Sequence, residues 1–178
     1  MIIMCGGAPC SGKTTLIRAI IKELGSYEEY EPLPLFPCQK YGDILVVGRY
    51  LEGQIFSGTD RLSYATIPKF RNFILQEYTK HKHILIEGDR FFRAKDIEWL
   101  LANFIAKIYI LKVSLEIEKQ RHIARGDNQS EKWLQTRRSL INNLQTNFIL
   151  MNDLNIRETE TNEQFDEVRG EILGELNE

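Results

Sequence analysis

A segment near the start of the chain combines glycines, a lysine and a threonine at a spacing that can hold a phosphate chain. Residues 7–14 match the pattern G-x-x-x-x-G-K-[ST] without deviation. Glycines let consecutive backbone N–H groups face one anion, and the start of a following helix adds positive charge. In such a loop Lys13 reaches the β- and γ-phosphates and the Thr14 hydroxyl binds Mg²⁺. We expect the nucleotide-binding residues to be Gly7, Ala8, Pro9, Cys10, Ser11, Gly12, Lys13, Thr14 and Thr15.

The segments on either side of this loop have the patterns of a buried strand and an amphipathic helix. An apolar run at residues 2–5 precedes the glycines and indicates a strand. From about Lys13, apolar residues recur at helical spacing, and Gly25 suits the end of that helix. Strand, loop and helix in this order are the context in which the motif binds phosphate. The alternative is a glycine-rich turn without a ligand.

A second candidate site follows another apolar run. Residues 84–90 read Ile-Leu-Ile-Glu-Gly-Asp-Arg, so a predicted strand ends in two carboxylates. Ligands of parallel sheets bind beyond the carboxyl ends of the strands, which would bring Glu87 or Asp89 near the metal ion or its waters. The alternative is an ordinary strand end with a solvated charge.

Arginines on two predicted helices could stabilise a transferred phosphoryl group. Arg121 and Arg125 are one helical turn apart and share a face, and Arg137 and Arg138 lie in the next helix. Phosphoryl transfer needs positive charge around the equatorial oxygens, which arginines supply. We therefore expect residues 121–138 to form a lid over the phosphates. A solvated, salt-bridged helix surface is the alternative.

The long polar segment at about residues 48–65 has the composition of a binding loop. Within it, Asp60 and Arg61 set a carboxylate beside a cation. A hydroxyl acceptor needs both, because the carboxylate takes the proton while the cation holds the substrate. Alternatively, Thr59 and Asp60 only begin a turn or cap a helix.

The remaining pattern alternates strands with helices. Further strands are expected at residues 44–47, 83–87, 108–113 and 154–157, and helices at 67–81, 96–103, 115–125 and 131–150. A capping box at Thr161 and Gln164 begins a last helix. Prolines between residues 31 and 37 indicate a loop, or an edge strand paired with residues 44–47. The alternation predicts an α/β fold, with helices on both faces of a mostly parallel sheet, as a single domain over residues 1–178.

Composition is that of a globular protein, with 43% hydrophobic and 27% charged residues. Three cysteines without a secretory signal favour the reducing cytoplasm, and no apolar run is long enough for a membrane span. The net charge is −2, yet eight acidic and two basic residues lie between Arg157 and Glu178, which leaves the rest of the chain net positive. A nucleic-acid partner is therefore neither required nor excluded.

Among nucleotide-binding classes, the sequence favours a small kinase. It lacks the N-K-x-D with which GTPases read their base, and it is shorter than most large ATPases. A 178-residue chain with the phosphate-binding loop at its start has the build of the small kinases that resemble nucleoside and nucleotide kinases. The expected cofactors are ATP and Mg²⁺.

Four shorter motifs narrow this resemblance. G-x-Y-x-x-G spans residues 48–53, G-T-D-R-L-S spans 58–63, E-G-D-R spans 87–90 and R-G-D-N-Q spans 125–129. With the N-terminal loop, they resemble the phage P-loop kinases of thymine hypermodification, the 5-hydroxymethyluracil DNA kinases. The resemblance covers about residues 1–145. One departure is Ala8-Pro9-Cys10, where many relatives carry another glycine; it should not impair phosphate binding, because backbone donors do that work.

This resemblance implies a P-loop kinase fold with a helical lid, acting on the 5-hydroxymethyl group of bases already in DNA. The phosphate then becomes a leaving group for later nucleophiles. By resemblance to polynucleotide kinases, Asp60 is the base and Arg61 holds a substrate phosphate, with Asp89 as the rival base. The implied catalytic residues are Lys13, Asp60, Arg121 and Arg125; the implied substrate ligands are Tyr50, Thr59, Asp60, Arg61 and Arg90; the implied metal ligands are Thr14, Glu87 and Asp89. A phage-encoded enzyme would act in the host cytoplasm.

A DNA acceptor makes further demands on the sequence. A base flipped out of the duplex needs aromatic surfaces, for which the candidates are Tyr50, Phe56, Phe91 and Phe92, although core packing explains the last two better. The candidate cations for the DNA backbone are Arg49, Arg61, Arg90, Arg93 and Lys95. Two alternatives stay open: a kinase of a free nucleoside, nucleotide or other small metabolite, and a nucleotide-binding regulatory module without turnover.

Overall fold

A seven-stranded sheet organises the part of the chain that the structure describes. The computed structural model describes residues 1–51, 53, 57–126 and 129–178. The strands are β1 (Ile2–Gly7), β2 (Glu28–Tyr30), β3 (Cys38–Tyr41), β4 (Ile44–Val47), β5 (His83–Glu87), β6 (Ala106–Lys112) and β7 (Leu154–Glu158). Their order across the sheet is β2-β3-β4-β5-β1-β6-β7. The five strands β4, β5, β1, β6 and β7 are parallel to one another, whereas β2 and β3 pair antiparallel at one side of the sheet.

Six α-helices alternate with these strands in the described ranges. They are α1 (Lys13–Leu24), α2 (Phe70–Glu77), α3 (Ala94–Asn103), α4 (Leu115–Arg125), α5 (Glu131–Gln145) and α6 (Asn162–Asn177). Two 3₁₀ segments, Thr59–Arg61 and Tyr64–Lys69, precede α2. None of the helices described is both long enough and apolar enough to cross a bilayer.

The sheet has an apolar core on each face. Successive residues of a strand point to opposite faces, and Ile3 and Met4 accordingly belong to different cores. Helices α1 and α6 cover one face, where Ile3 packs with Leu16, Ile17, Ile20, Val168 and Ile172. Helices α2, α3 and α5 cover the other, where Met4 packs with Phe70, Phe73, Ile97, Leu100 and Leu144. The predicted α/β arrangement, with helices on both faces of a mostly parallel sheet, is confirmed.

The central strand brings the chemistry-bearing segments together. All six residues of β1 are buried, as expected for a strand covered on both faces. β1 lies between β5 and β6, with Cys5 opposite Glu87 and Gly7 opposite Leu111. The glycine-rich segment after β1 and the carboxylates after β5 therefore leave the sheet at the same edge.

Two predicted helices differ from the observed ones by more than two residues at an end. The helix expected at residues 67–81 is a 3₁₀ segment followed by the shorter α2, and Ser63 caps the 3₁₀ segment by accepting a hydrogen bond from Ala65 N. Pro68 lies in the 3₁₀ segment, where its missing N–H is tolerated. The helix expected to reach residue 150 ends at Gln145, because side chains after it bond to the backbone and form a turn.

The proline-rich segment lies outside the sheet. Residues 31–37 are a loop, and the antiparallel partner of β4 is β3, which begins directly after the last of these prolines. Proline has no N–H for a sheet hydrogen bond, which accounts for this boundary.

The predicted capping box is present at the start of α6: Thr161 Oγ1 accepts from Gln164 N, and Gln164 Oε1 accepts from Thr161 N.

Candidate functional site

The glycine-rich loop (residues 7–14) turns sharply between β1 and α1. Gly12 has a φ of 93°, and a Cβ at Gly7 would lie 2.4 Å from the Leu111 carbonyl oxygen. Cys10 is also left-handed, with a φ of 58°, a conformation that costs a non-glycine residue about 1–2 kcal/mol. A tight curl ahead of a helix N-terminus is the local structure that an anion-binding loop requires.

The amino group of Lys13 is held over this loop. Its Nζ donates hydrogen bonds to the carbonyl oxygens of Gly7, at 2.8 Å, and Ala8, at 2.9 Å. These neutral acceptors orient the ammonium group without cancelling its charge. The cation is therefore positioned to attract an anion that lies against the loop.

Thr14 connects the loop to the end of β5. Its hydroxyl donates to the Glu87 carboxylate, with Oε1 at 3.1 Å. Glu87 is almost fully buried, and it has no ion-pair partner among the described residues. Burial and the nearby charge of Asp60 raise the pKa of Glu87 to about 8, while Lys13 and the hydrogen bond from Thr14 oppose this shift. A cation beside such a buried group would stabilise its charged form.

The hydroxyl of Thr14 and the carboxylate of Glu87 are oxygen ligands of the kind that Mg²⁺ prefers. The ion takes one or two protein carboxylates and fills its other positions with water and phosphate oxygens. Thr14 and Glu87 offer a hydroxyl and a carboxylate in contact. Thr14 and Asp89 line a cavity in front of the glycine-rich loop, and Glu87 lies buried behind Thr14. Within the described ranges, no cluster of three or more Asp, Glu, His or Cys side chains is arranged to hold a metal. The donors present therefore suit an ion held jointly with phosphate oxygens.

Asp60 and Asp89 stand together at this edge of the sheet. Asp60 lies in the first 3₁₀ segment, and Asp89 follows β5. The Asp60 side chain keeps contact with solvent. Desolvation by the surrounding protein nevertheless raises the pKa of Asp60. The negative charge of Asp89 raises this pKa further, whereas the positive charges of Lys13 and Arg90 lower it. A solvent-accessible carboxylate with a raised pKa is suited to accept a proton.

Two glycines allow the segment with Asp60 to pack onto β5. Gly58 has a φ of 66°, and a Cβ there would lie 2.4 Å from the Tyr50 hydroxyl and 2.6 Å from Glu87 Oε1. Gly88 has a φ of 95°, and its Cβ would lie 2.7 Å from the Thr59 hydroxyl. Only glycine combines these backbone angles with so close an approach.

Tyr50 and Thr59, predicted as substrate ligands, are buried beneath the site. The Thr59 hydroxyl donates to the backbone carbonyl of Glu87. The Tyr50 side chain is only 7% exposed, and its hydroxyl faces the Glu87 carboxylate. Burial, followed by the charge of Glu87, raises the pKa of Tyr50. The Thr59 bond ties the segment carrying Asp60 to the end of β5, whereas Tyr50 packs near Glu87, and neither residue lines a cavity described below.

A cavity of about 440 Å³, here called the loop cavity, lies in front of the glycine-rich loop. Lys13 and Thr14 line one part of it, and Thr159, Asn162 and Phe165 line another, near the start of α6. A cation and a hydroxyl in one part and an aromatic ring in another suit a ligand that carries both phosphates and a ring.

A second cavity of about 670 Å³, here called the α5 cavity, adjoins it. Helix α5 forms one wall with Trp133, Arg137, Leu140, Ile141 and Leu144, and Tyr64, Arg90, Phe92 and Arg93 line the rest. Four residues line both cavities: Asp60, Asp89, Gln129 and Trp133. The two carboxylates therefore stand where the cavities meet.

The predicted lid arginines have different surroundings. Arg121 donates to the backbone carbonyls of Cys10, Thr159 and Glu160, which ties the glycine-rich loop to the segment after β7. Arg125 is exposed and lines the loop cavity. Arg138 pairs with Glu118 and Glu131 and lines neither cavity.

Several other predicted residues lie away from the cavities. Arg61 is exposed and lines neither of them, and Arg49 bonds to Glu29 at 2.9 Å. Phe91 is fully buried and stacks on Phe70, so it cannot meet a base. Phe92 does reach the α5 cavity. The candidate Phe56 lies outside the described residues.

The sequence patterns did not single out Trp133, Thr159, Asn162 or Phe165, which all line the loop cavity. Trp133 offered a usable signal, because it precedes Arg137 by one helical turn and shares its face. The other three follow β7, the strand with the weakest sequence pattern. Arg137, which was expected in the lid, lines the α5 cavity.

The chain was also compared with known proteins. No model of a known protein family matches it, and no curated protein is significantly similar to it.

Proposed function

We propose that this protein is an ATP-dependent kinase of the P-loop class, which transfers the γ-phosphoryl group of ATP to a hydroxyl. The nucleotide would occupy the loop cavity, with its phosphates on the glycine-rich loop and Lys13. Thr14 and Glu87 would hold Mg²⁺, and Asp89 would bind its waters. When bound, the ion neutralises charge on the phosphates. Arg125 would add positive charge from the α4 side of the cavity.

One observation carries this proposal: Asp60 and Asp89 stand at the junction of the loop cavity and the α5 cavity. A phosphoryl donor on one side and a hydroxyl acceptor on the other would meet at these carboxylates. Asp60 is the proposed general base, since its raised pKa favours taking a proton from the hydroxyl. Asp89, 3.8 Å from Arg137 Nε, is the rival base.

The proposed acceptor is the 5-hydroxymethyl group of hydroxymethyluracil in DNA. The four motifs at residues 48–53, 58–63, 87–90 and 125–129 support it through their resemblance to kinases of thymine hypermodification. The α5 cavity adds chemical support, because aromatic side chains and arginines suit a base and its phosphate. The target base would enter this cavity after leaving the duplex.

A free nucleotide is the second candidate acceptor. The α5 cavity, at about 670 Å³, is within the range of small-molecule sites, so it can enclose a single nucleotide without a polymer. The chemistry at Asp60 would be the same for both acceptors. They differ in salt dependence, because polymeric DNA binding weakens steeply with added salt.

Transfer of label from γ-labelled ATP tests the proposal. Three acceptors are offered in parallel: DNA containing 5-hydroxymethyluracil, the same DNA with thymine, and the free hydroxymethylated nucleotide. Label on the first alone supports the DNA acceptor, and label on the free nucleotide alone moves the enzyme to the metabolite kinases. Bound ATP without transfer to any of the three contradicts the proposed acceptors and favours a regulatory nucleotide-binding module.

A further inference from the structure

Two arginines of the α5 cavity have buried N–H groups without an acceptor. Arg90 Nη1 and Arg137 Nε are shielded from solvent, and neither meets a hydrogen-bond partner among the described residues. Buried polar groups of native proteins are almost always paired, and a charged donor is the costliest to leave unpaired. Both residues line the α5 cavity. An acceptor group that enters the cavity, met by a small turn of each guanidinium, would complete the pairing.

Both guanidinium groups are already held in position by aromatic rings. Arg90 lies 3.9 Å from the centre of the Tyr64 ring and donates through Nη2 to the Asp60 carbonyl at 2.9 Å. Arg137 lies 5.1 Å from the centre of the Trp133 ring. A cation held on a ring loses little further freedom when it binds an anion, so the site is preorganised.

The other charges of this cavity leave these two arginines available. Arg93 is occupied, because its Nε and Nη2 both bond to Asp96 Oδ2. Asp89 forms an ion pair with Arg137, but its Oδ2 lies 3.8 Å from Nε, which is too long for a hydrogen bond, so the Nε–H still lacks an acceptor. Asp60 engages Arg90 through its backbone carbonyl, not its carboxylate.

We propose that Arg90 and Arg137 bind a phosphate group of the acceptor substrate, within one nucleotide unit of the hydroxyl that is phosphorylated. This inference rests on the proposed kinase function and names its acceptor class: a phosphate-bearing nucleotide unit, free or in a polymer. Guanidinium groups match phosphate oxygens with paired hydrogen bonds. The aromatic rings of Tyr64, Phe92 and Trp133 are available to contact the base. The assignment differs from the one implied for Arg61, which lies outside the cavity.

A binding experiment tests this without requiring turnover. In a Trp99→Phe background Trp133 is the sole tryptophan, since the chain has two, and its fluorescence reports on ligands in either of the two cavities that it lines. The Arg137 variants described next assign the signal, because Arg137 lines the α5 cavity alone. Deoxyuridine, its 5′-monophosphate and a short thymidine oligonucleotide are titrated. The monophosphate or the oligonucleotide is expected to bind at least about 10-fold more tightly than the nucleoside. Equal affinity for all three would overturn the inference.

The matched variants are Arg137→Met and Lys132→Met. Both remove one cation from α5, but Lys132 is exposed and lines neither cavity. Arg137→Met should abolish the preference for the phosphate-bearing ligand, and Lys132→Met should keep it. Arg137→Lys, which retains the charge but not the paired geometry, should show an intermediate preference and guards against a folding defect. If Arg137→Met weakens nucleoside and nucleotide alike, the phosphate assignment is wrong.

Transfer kinetics separate this inference from the proposed function. The acceptors are 5-hydroxymethyl-deoxyuridine, its 5′-monophosphate and an oligonucleotide that contains it. Arg137→Met should lower kcat/KM at least about 10-fold for phosphate-bearing acceptors and leave the nucleoside unchanged. An equal loss for all three contradicts the phosphate site but not the kinase. No transfer by the wild-type protein, with the binding preference intact, contradicts the kinase but not the site. Tight binding of only the monophosphate or only the oligonucleotide identifies the source of the phosphate.

Discussion

Gly58 lies against the carboxylate of Glu87, so closely that a Cβ on Gly58 would sit 2.6 Å from Oε1. This contact fixes the segment that carries Asp60 to the strand end that carries Glu87 and, through Thr14, to the glycine-rich loop. The proposed base and the proposed metal site are therefore held in one rigid arrangement. The importance of the contact between Gly58 and Glu87 can be tested by adding a single methyl group at Gly58.

Gly58→Ala should destabilise the protein and displace Asp60. The methyl group would meet Tyr50 and Glu87, and the φ of 66° adds strain, for a total of about 2–4 kcal/mol. Gly42→Ala is the matched control, because Gly42 has a φ of 56° but no atom within 4 Å of its Cβ. That variant should lose only about 1 kcal/mol. Chemical denaturation measures both, and equal losses would show that the contact with Glu87 is unimportant.

Glu87→Gln should separate stability from metal-dependent nucleotide binding. Glu87 has no ion-pair partner in the part of the chain that the structure describes, so removing this buried carboxylate should leave the melting temperature unchanged or higher in the absence of Mg²⁺. Addition of Mg²⁺ and ATP should raise the melting temperature of the wild type by several degrees more than that of the variant. The same titration with ATP and a chelator is the control, in which the two proteins should behave alike. A shift by Mg²⁺ and ATP that is equal in both proteins would remove Glu87 from the metal site.

Asp60→Asn and Asp89→Asn should distinguish the base from its neighbour. If Asp60 takes the proton, its replacement should lower the rate of transfer by about 100-fold or more and change ATP affinity less than about threefold. Asp89→Asn should lower transfer less and raise the Mg²⁺ concentration needed for half-maximal rate. Single-turnover transfer and ATP titration measure these effects. The opposite ranking would make Asp89 the base.

Glu77 predicts a pH-dependent stability remote from the site. Its buried carboxylate accepts hydrogen bonds from Lys80 at 2.8 Å and Tyr30 at 3.0 Å, and His81 Nε2 lies 3.1 Å away. Burial alone would raise the pKa of Glu77, but these three partners hold it below its usual value. A carboxyl group with a lowered folded pKa stabilises the fold above its unfolded value of 4.5 and loses this contribution as pH falls through the folded pKa.

The wild type should therefore lose stability below about pH 4.5 more steeply than Glu77→Gln. At pH 7 the variant should be less stable by about 1–3 kcal/mol, because it loses the charged acceptor for Lys80. Glu116→Gln, at an exposed position of α4, should change neither the stability nor its pH slope. Urea denaturation between pH 3 and pH 7 measures both slopes, and parallel slopes for Glu77→Gln and the wild type would contradict the prediction.

The sequence patterns predict the framework of the site well, because that framework is local. Strand β5 has the predicted bounds, α4 has the predicted bounds, and the capping box at Thr161 is present. Each of these depends on hydrophobic periodicity or on a bond between residues close in sequence. The sequence patterns also predict that Glu87 lies close to Thr14, because two parallel strands end side by side.

The α5 cavity could not be predicted in this way. Its walls combine Arg90, after β5, with Trp133 and Arg137, and only the tertiary packing of α5 brings them together. Likewise, Thr59 and Tyr50 have the residue types of ligands but are buried, since Gly58 and Gly88 let their segment approach β5. Composition suggests that a polar segment contacts ligands, whereas burial decides which of its side chains do.

The wall shared by the two cavities also has a thermodynamic consequence. Four residues would contact an occupant on either side: Asp60, Asp89, Gln129 and Trp133. Occupancy of one cavity is therefore expected to alter the affinity of the other, and reciprocity requires the same factor in both directions. A single molecule that spans both cavities would also gain from the high effective concentration of its second half. A nucleotide joined to an acceptor analogue through a short phosphate bridge is thus the natural chemical design for an inhibitor of the proposed kinase.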